Sequence, residues 1–578
     1  MCNQQINNYA RAEQEANRVE AIILDTLQSG KNFRVEAGAG SGKTFSLIKV
    51  IEWIQKNKWS YYQKRKQNVV CITYTNAAVE VIADRLKDDS FIIPSTIHSF
   101  AWNAIKQYQS FLLSVVNRDE KYKPLEGDIE KINEVQYTLG HRYIENDVLY
   151  LYHDDVISLF SELLDNKKFR TIFSSKYPLI LIDEYQDSFK KITDKFLSHF
   201  IIPNEGPQFG FFGDSWQTIY QSQDACGLIE NENIIEIKKG INFRSAPSIV
   251  NLLNRIRMDL PQISAIDGVD GEVVVISCND YKGERRTDRN FKEDLPVDIL
   301  QKRLNTLKSV IAKRLSPEEN IKTLMLTHKV LAAQQGYDLL LNALGDKLKD
   351  KEDPVLLFLM EKVESVYKAL QNRDMLLLFE TLGVKQYPIT KKIQKKQWCQ
   401  YANELAICRD KAAYDVLNLT TQSKLIPVPT VIESILSDYI NHPDMAYGNV
   451  TVKEFLDIPY NQFLSAINFM HPESEFSTDH GVKGEQYENV IFSITRGWAN
   501  YQFDKYMPMI LGRVPDDKMT SFIRNRNLFY VCCSRPQKRL IMFISYYVTP
   551  EFEKFLKYLV GEKSYYNYDE FVDKFTRG

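Results

Sequence analysis

The 578-residue sequence contains no apolar run approaching the ~18 to 20 residues that a membrane-spanning helix needs. Its opening residues, Met1-Cys2-Asn3-Gln4-Gln5, have no apolar core behind them, so neither export nor membrane embedding is expected. Cysteine is sparse. The eight residues (Cys2, Cys71, Cys226, Cys278, Cys399, Cys408, Cys532 and Cys533) form no Cys-x-x-Cys pair and no Cys/His cluster. This argues against a disulfide framework and against zinc, and a reducing cytoplasm fits it best. An excess of charge of one sign is lacking too. With 73 Lys and Arg against 75 Asp and Glu, the formal net charge is -2, so a nucleic-acid partner would need local basic surfaces rather than bulk charge. Internal repeats and low-complexity linkers are absent.

Apolar residues make up 44% of the chain and charged residues 26%, the proportions of a soluble chain that folds throughout. At roughly 100 to 200 residues per domain, this length calls for about four domains. Short β-rich runs (Phe33-Arg34-Val35, Val69-Val70-Cys71-Ile72, Leu179-Ile180-Leu181-Ile182, Phe209-Gly210-Phe211-Phe212, Val490-Ile491-Phe492-Ser493-Ile494) alternate with helical patterns. That alternation predicts an α/β fold with parallel sheets, whose ligands bind beyond the carboxyl ends of the strands. Two motif-poor, helix-rich stretches, 101–169 and 350–468, read as insertions. The first holds a helix from His153 with Asp154 and Asp155 in its first turn, where the helix dipole favours carboxylates. The second carries the basic run Lys391-Lys392-Ile393-Gln394-Lys395-Lys396, read as a solvated face.

The sharpest motif is Ala37-Gly38-Ala39-Gly40-Ser41-Gly42-Lys43-Thr44, which follows a strand and opens a helix. Backbone N–H groups and a helix N-terminus there cradle phosphates, Lys43 reaches the β- and γ-phosphates of ATP, and the Thr44 hydroxyl binds Mg²⁺. An ordinary Gly-rich turn shares the glycines but not the Gly-Lys-Thr ending in a strand-to-helix context. Further on, the strand Leu179–Ile182 runs into Asp183-Glu184-Tyr185-Gln186-Asp187. Asp183 is expected to hold Mg²⁺ through its hydration shell, with Glu184 as the general base that activates water. By itself an apolar strand ending in Asp-Glu is more often a solvated strand end; beside a P-loop the metal and base roles are preferred.

Asp-Glu-Tyr-Gln-Asp resembles the Asp-Glu-x-Gln-Asp signature of the UvrD/Rep/PcrA branch of superfamily 1 helicases, and further segments match that family in order. They are Ile72-Thr73-Tyr74-Thr75-Asn76-Ala77-Ala78, Ser95-Thr96-Ile97-His98-Ser99-Phe100, Gly213-Asp214-Ser215-Trp216-Gln217-Thr218-Ile219-Tyr220, Asn242-Phe243-Arg244-Ser245, Thr478 to Tyr487, and Tyr530-Val531-Cys532-Cys533-Ser534-Arg535. The resemblance implies that Gln217 senses the γ-phosphate, that Arg244 and the arginine finger Arg535 reach it from a second domain, and that Phe243 stacks on adenine. It places Gln486 at the ribose and Tyr74, Thr75, Asn76, His98, Tyr220 and His480 on the DNA strand. Taken singly, several of these segments read equally well as core strands ending in polar turns.

The sequence departs from the family at three places. Gln486 stands where the family has glutamate, with Glu485 one place earlier, which predicts a less strict nucleotide preference. Ser222 replaces a base-stacking tryptophan, a contact worth roughly 1 to 3 kcal/mol. The family's adenine-reading glutamine has only Gln14 as its candidate, at a longer spacing. About forty aromatic-rich residues after Arg535 are too few for the nuclease domain of some relatives, so any cutting is expected from another chain.

The resemblance therefore implies two RecA-like P-loop NTPase domains, each interrupted by a helical insertion. The first motor domain is expected over 1–100 and 170–237, with an insertion at 101–169. The second is expected over 238–349 and 469–578, with an insertion at 350–468. The implied activity is an ATP-dependent helicase or single-strand translocase, moving 3′ to 5′ on single-stranded or partly duplex DNA, in repair or in anti-phage defence. Compact relatives stand beside a nuclease in phage-defence operons such as Gabija, and this chain resembles them in size and layout. A second reading is a nucleotide- or DNA-end-sensing regulatory ATPase subunit of a nuclease complex, without processive unwinding. A third, an unrelated P-loop kinase, has no need of Arg244 or Arg535 as cross-domain groups.

Overall fold

The computed structural model describes residues 8–73, 76–86, 91–122, 131–138, 142–218, 225–316, 319–325, 332, 335–349, 353–383, 392–470, 476–478, 485–497 and 501–576. Its first sheet contains β1 (Asn32–Ala37), β2 (Val69–Thr73), β3 (Ile92–Thr96), β4 (Leu179–Asp183), β5 (Gln208–Gly213) and β6 (Ile234–Lys239). These strands are all parallel, in the order β3-β2-β4-β5-β1-β6. Helices cover both faces of such a sheet, so β1, β2 and β4 are buried at every position and read as nearly continuous apolar runs. Helices α1 (Asn8–Gln28) and α2 (Lys43–Arg65) pack Val19, Ile23, Leu47, Ile51 and Ile54 against one face. Only β5 separates β1 from β4, so the P-loop, Asp214 and Asp183 emerge along one edge.

Between β3 and β4 lies the first inserted region, and it is not wholly helical. A three-stranded sheet of Glu134–Tyr137, Tyr143–Glu145 and Val148–Leu151 is built into it, from strands too short to show a clear period of two in the sequence. Helix α3 (His153–Leu163) begins where its acidic first turn predicts. Asp155, however, is 1% exposed: it accepts the Tyr152 N–H at 3.0 Å and pairs with Arg142 at 2.6 Å, so it is a core ion pair as well as a cap. Helix α4 (Lys167–Lys176) is capped by Asn166, whose side chain accepts the N–H of Lys168 and Phe169. Phe100, Phe160, Phe173 and Phe209 tie this region to the other face of the first sheet. Strand β6 carries that sheet to Lys239, past the boundary expected at 237.

The second sheet repeats the plan. It contains β7 (Glu272–Ser277), β8 (Ile321–Met325), β9 (Phe476–Thr478), β10 (Tyr487–Ile494), β11 (Pro536–Ile544) and β12 (Tyr565–Asn567), parallel, in the order β9-β8-β10-β11-β7-β12. Helices α5 (Pro247–Ile256) and α6 (Met519–Cys533) pack on one face, where Tyr546, Phe552 and Phe555 from the aromatic C-terminal stretch are also buried. The segment between β8 and β9 is largely helical and has a core of its own, including Leu340, Leu356, Leu405, Leu417 and Phe463. Among the described residues no helix is long and apolar enough to cross a membrane.

Candidate nucleotide site

The loop from Ala37 to Thr44 joins β1 to α2 with two left-handed glycines, Gly40 (φ 72°) and Gly42 (φ 74°), the second capping the helix. Gly40 is required for a further reason. A Cβ there would lie 2.7 Å from the Asn242 Oδ1 and 2.8 Å from the Arg244 Cβ, so only glycine lets the segment leading to the second sheet close over the loop. Phe243 donates its N–H to the Gly40 carbonyl at 2.9 Å, while its ring stays 40% exposed beside the loop. Asn242 and Gln262 both donate to the Ala39 carbonyl at 3.0 Å. Tyr530 accepts the Ala39 N–H at 3.2 Å. Lys239 donates to Ser46 at 2.6 Å and to the Gly42 carbonyl at 3.3 Å, and burial lowers its ammonium to about 8. The buried Ser41 hydroxyl has no partner among the described residues.

Lys43, the first residue of α2, forms an ion pair of 2.9 Å with Glu184. Burial pulls the Lys43 ammonium down, but Glu184, Asp214 and Asp183 outweigh that and hold it above its ordinary value. Asp183 ends β4, and burial together with the neighbouring Glu184 charge pushes its carboxyl up. Glu184 adopts a left-handed conformation (φ 48°), a strain on the order of 1 to 3 kcal/mol that turns its side chain out of the strand direction. Gln186, fully buried, braces it: Nε2 donates to the Glu184 carboxylate at 2.6 Å and Oε1 accepts the Asp214 N–H at 3.0 Å.

Two arginines of the second sheet's side reach this edge. Arg535, 1% exposed, donates to Gln217 Oε1 at 3.3 Å and to the carbonyls of Val531 and Glu485 at 3.0 and 3.2 Å. Arg244 donates to Gln486 Oε1 at 3.3 Å and to the Ser534 carbonyl at 3.1 Å. Burial and the adjacent Arg535 charge lower the Arg244 guanidinium to about 9, and burial lowers Arg535 as well. Two desolvated cations side by side form a site that an anion would stabilise.

Sequence reasoning missed the buried ion network behind this edge. Arg257, just after α5, donates to Asp214 Oδ1 at 2.5 Å and to Glu36 Oε1 at 2.8 Å, and all three side chains are 4% exposed or less. Asp214 also accepts from Gln217 Nε2 at 2.7 Å, while Glu36 accepts from the Tyr185 hydroxyl at 2.6 Å and from Ser215. The Trp216 ring contacts two guanidiniums, Arg257 at 5.1 Å and Arg526 at 3.7 Å from its centroid. The signal was Arg34 and Glu36 within a strand otherwise read as apolar core.

Lys43, Glu184, Gln217, Arg244, Arg535 and Gln486 are thus linked, through Gln186, Asp214 and Ser534, by hydrogen bonds and the Lys43–Glu184 ion pair. Asp183 and Thr44 stand beside them at the ends of β4 and the P-loop. His98 lies apart. Its ring packs on His153 (4.6 Å) and Phe189 (5.3 Å), its Nε2 is buried without a partner among the described residues, and burial followed by His153 lowers it to about 4. Tyr74, Thr75, Tyr220, His480 and the Asn76 side chain lie outside the described residues.

A family model described as an AAA domain matches residues 19–223, which include the P-loop, Asp183-Glu184 and Gln217. The Gabija protein GajB of Bacillus cereus strain HuB5-5 is 24% identical over 93% of this chain and 96% of its own length. Together these matches support a UvrD-like helicase of the Gabija type. A second Gabija protein GajB, from Bacillus cereus strain VD045, is 28% identical over 41% of this chain and 47% of its length. The ATP-dependent DNA helicase Rep of Buchnera aphidicola is 25% identical over 38% and 42%. These relatives and the AAA domain support ATP-dependent DNA helicase activity, in an α/β fold with RecA-like parallel sheets.

Proposed function

We propose that the chain hydrolyses Mg-ATP between its two six-stranded sheets and uses the closure of that cleft to move 3′ to 5′ along single-stranded DNA and unwind duplex, in anti-phage defence alongside a nuclease subunit in the cytoplasm. The observation that carries this reading is the hydrogen bond between Arg535 and Gln217, which brings the second sheet's arginine to the edge holding Lys43 and Glu184. The motor domains are assigned to 1–100 with 170–237 and to 238–349 with 469–578, with the boundary between them moved to follow Lys239, where β6 ends, and the insertions to 101–169 and 350–468.

The donor set fits a nucleotide and a magnesium ion. A partnerless buried hydroxyl on Ser41, a hydroxyl and a carboxylate from Thr44 and Asp183, and two crowded guanidiniums are groups that phosphate and Mg²⁺ would satisfy. Mg²⁺ held by Thr44 and Asp183 supplies charge neutralisation of the phosphates. Ala37 to Gly42 offer backbone N–H groups, and Lys43 exchanges Glu184 for phosphate. That exchange frees the Glu184 carboxylate to accept a proton from water. Gln217, held by Asp214 and Arg535, orients toward the same centre, and Arg244 and Arg535 stabilise charge developing on the transferred group. Phe243 offers an exposed ring to the adenine and Gln486 a side chain to the ribose. Tyr74, Thr75, Asn76, His98, Tyr220 and His480 are assigned to the DNA strand.

The test measures DNA-stimulated ATPase and strand displacement on duplexes with a 3′ or a 5′ single-stranded tail. Unwinding of the 3′-tailed substrate alone is expected. Stimulated ATPase with no displacement of either would favour the regulatory-subunit reading.

A further inference from the structure

Helix α2 starts at the P-loop and runs 23 residues, but beyond its midpoint no residue is fully buried and Tyr62 is the main contact with the core. Its buried residues are Ser46, Leu47, Ile48, Val50, Ile51 and Ile54, all in its first half. The stretch from Trp53 to Gln67 contains Lys56, Lys58, Lys64, Arg65 and Lys66 and not one carboxylate, in a chain whose net charge is -2. Among the described residues none of these five cations forms an ion pair; the ion pairs of this helix, Lys43 with Glu184 and Lys49 with Glu52, both lie in its first half. A solvated helix face normally interleaves acids with bases, as this helix does at Lys49 and Glu52.

Aromatic rings sit among these cations. Trp59 is 51% exposed and Tyr61 47%. The Arg65 guanidinium lies 3.9 Å from the Tyr61 ring centroid and Lys58 5.9 Å from it, whereas no cation covers Trp59 among the described residues. Tyr62 turns inward onto Phe91 (5.2 Å) and anchors the helix end. The following turn is tied to α4, with Asn68 donating to the Lys176 carbonyl at 2.9 Å and Gln67 to the Ser175 carbonyl at 3.0 Å. Helix α4, KKFRTIFSSK, also lacks carboxylates, and the exposed Lys176 extends the basic surface. At a rise of 1.5 Å per residue, Trp59 stands about 24 Å along the helix from Lys43, toward the amino ends of β2 and β4 and away from the nucleotide edge.

We propose that the distal half of α2, with Lys176, is a second single-stranded DNA contact outside the motor cleft, in which Lys56, Lys58, Lys64, Arg65 and Lys66 take the phosphates and Trp59 stacks on a base. Cations without an acidic partner among the described residues, interleaved with exposed rings, suit an unpaired strand, whose bases are free to stack; a duplex would use the cations but not the ring. The surface supplies locally the basic charge that the overall composition lacks. It rests on the DNA-motor reading, and its role is to hold strand entering or leaving the cleft.

The experiment uses the full chain and labelled single-stranded oligomers, one of about 10 nucleotides, a length a single site accommodates, and one several times longer. Trp59→Ala and the triple variant Lys58→Gln, Lys64→Gln, Arg65→Gln should each bind the long oligomer about tenfold or more weakly than wild type. The short oligomer at saturation should stimulate ATPase as in wild type. The triple variant should also lower the salt dependence of long-oligomer binding, by about 0.7 in log–log slope for each phosphate it no longer neutralises. Unchanged affinity and slope, or weakening seen only with blunt duplex, would overturn the proposal. So would DNA binding left intact while binding of an acidic protein partner disappears. Failure of the wild type to bind any single strand would instead refute the motor reading itself.

Discussion

Arg257 and Asp214 meet across the junction of the two sheets with both side chains 2% exposed or less, and Asp214 in turn accepts a hydrogen bond from Gln217. The network continues to Arg535, so a guanidinium after α5, through Asp214, and one after α6, directly, are both linked to one glutamine. Removing a partner from such a pair leaves an uncompensated buried charge, which costs about 3 to 5 kcal/mol. Arg257→Met should therefore lower unfolding stability by that order. It should also weaken single-strand stimulation of ATPase more than it weakens nucleotide binding, because Gln217 loses its brace. Adding Glu36→Gln should restore part of the stability. Denaturant unfolding and paired ATPase measurements decide the matter; wild-type stability with wild-type stimulation would remove Arg257 from the coupling path.

Glu184→Gln keeps the shape of the side chain but discards both the base and the negative charge that holds Lys43 at 2.9 Å. Nucleotide then no longer competes with Glu184 for that ammonium, so affinity should hold or rise. Hydrolysis should fall by roughly 10² to 10⁴. Fluorescent-nucleotide titration and single-turnover hydrolysis would separate the two effects. Abolished binding with normal turnover per bound nucleotide would mean that the roles of Asp183 and Glu184 are exchanged.

Gly40→Ala tests the closure of the loop. The left-handed φ of 72° strains any L side chain, and the added carbon meets Asn242 and Arg244 inside normal van der Waals distance. Both effects oppose the approach of the segment that carries Arg244 and leave Lys43 untouched. Nucleotide should bind within a few-fold of wild type while stimulated turnover drops at least tenfold, an order of ~1.4 kcal/mol on the barrier. Turnover equal to wild type would show that Asn242 and Arg244 yield freely.

Much of this edge was legible in the sequence because its chemistry is local. The glycines, Lys43 and Thr44 are consecutive, and Asp183-Glu184 ends an unmistakable apolar strand. Gln217, Arg244 and Arg535 were legible only through resemblance, since nothing in their own neighbourhoods announces that they meet. Arg257 was not legible at all, and Glu36 showed only as a charge within an apolar strand. A buried charge looks in sequence like any other charge, and its partner lies some two hundred residues away. The small sheet in the first insertion escaped for another reason: strands of three or four residues carry too few alternations to separate from loop. The packing of the His98 ring on His153 was not legible either, because that neighbour is supplied by the insertion and is invisible to the motif.

Arg535→Ala probes the coupling most directly. The guanidinium touches Gln217, Ser534 and two backbone carbonyls, and although it is buried these hydrogen-bond partners are polar groups of the cleft. Its burial holds it below the ordinary arginine range, so removing it relieves a desolvated cation rather than exposing one, and the fold should survive. Arg244 sheds its repulsive neighbour and the P-loop is untouched, so initial nucleotide affinity should change little. Turnover is another matter. The charge that spreads over the transferring phosphoryl group loses one of its two arginines, and a finger arginine of this kind is worth about 10³-fold or more. Single-stranded DNA should then fail to accelerate hydrolysis, because closing the cleft no longer completes the site. Nucleotide affinity, unfolding midpoint and DNA-stimulated ATPase must be measured on one preparation. A normal midpoint and normal affinity with abolished stimulation is the expected pattern, whereas undiminished stimulation would leave Arg535 a structural residue and the two sheets without a chemical link.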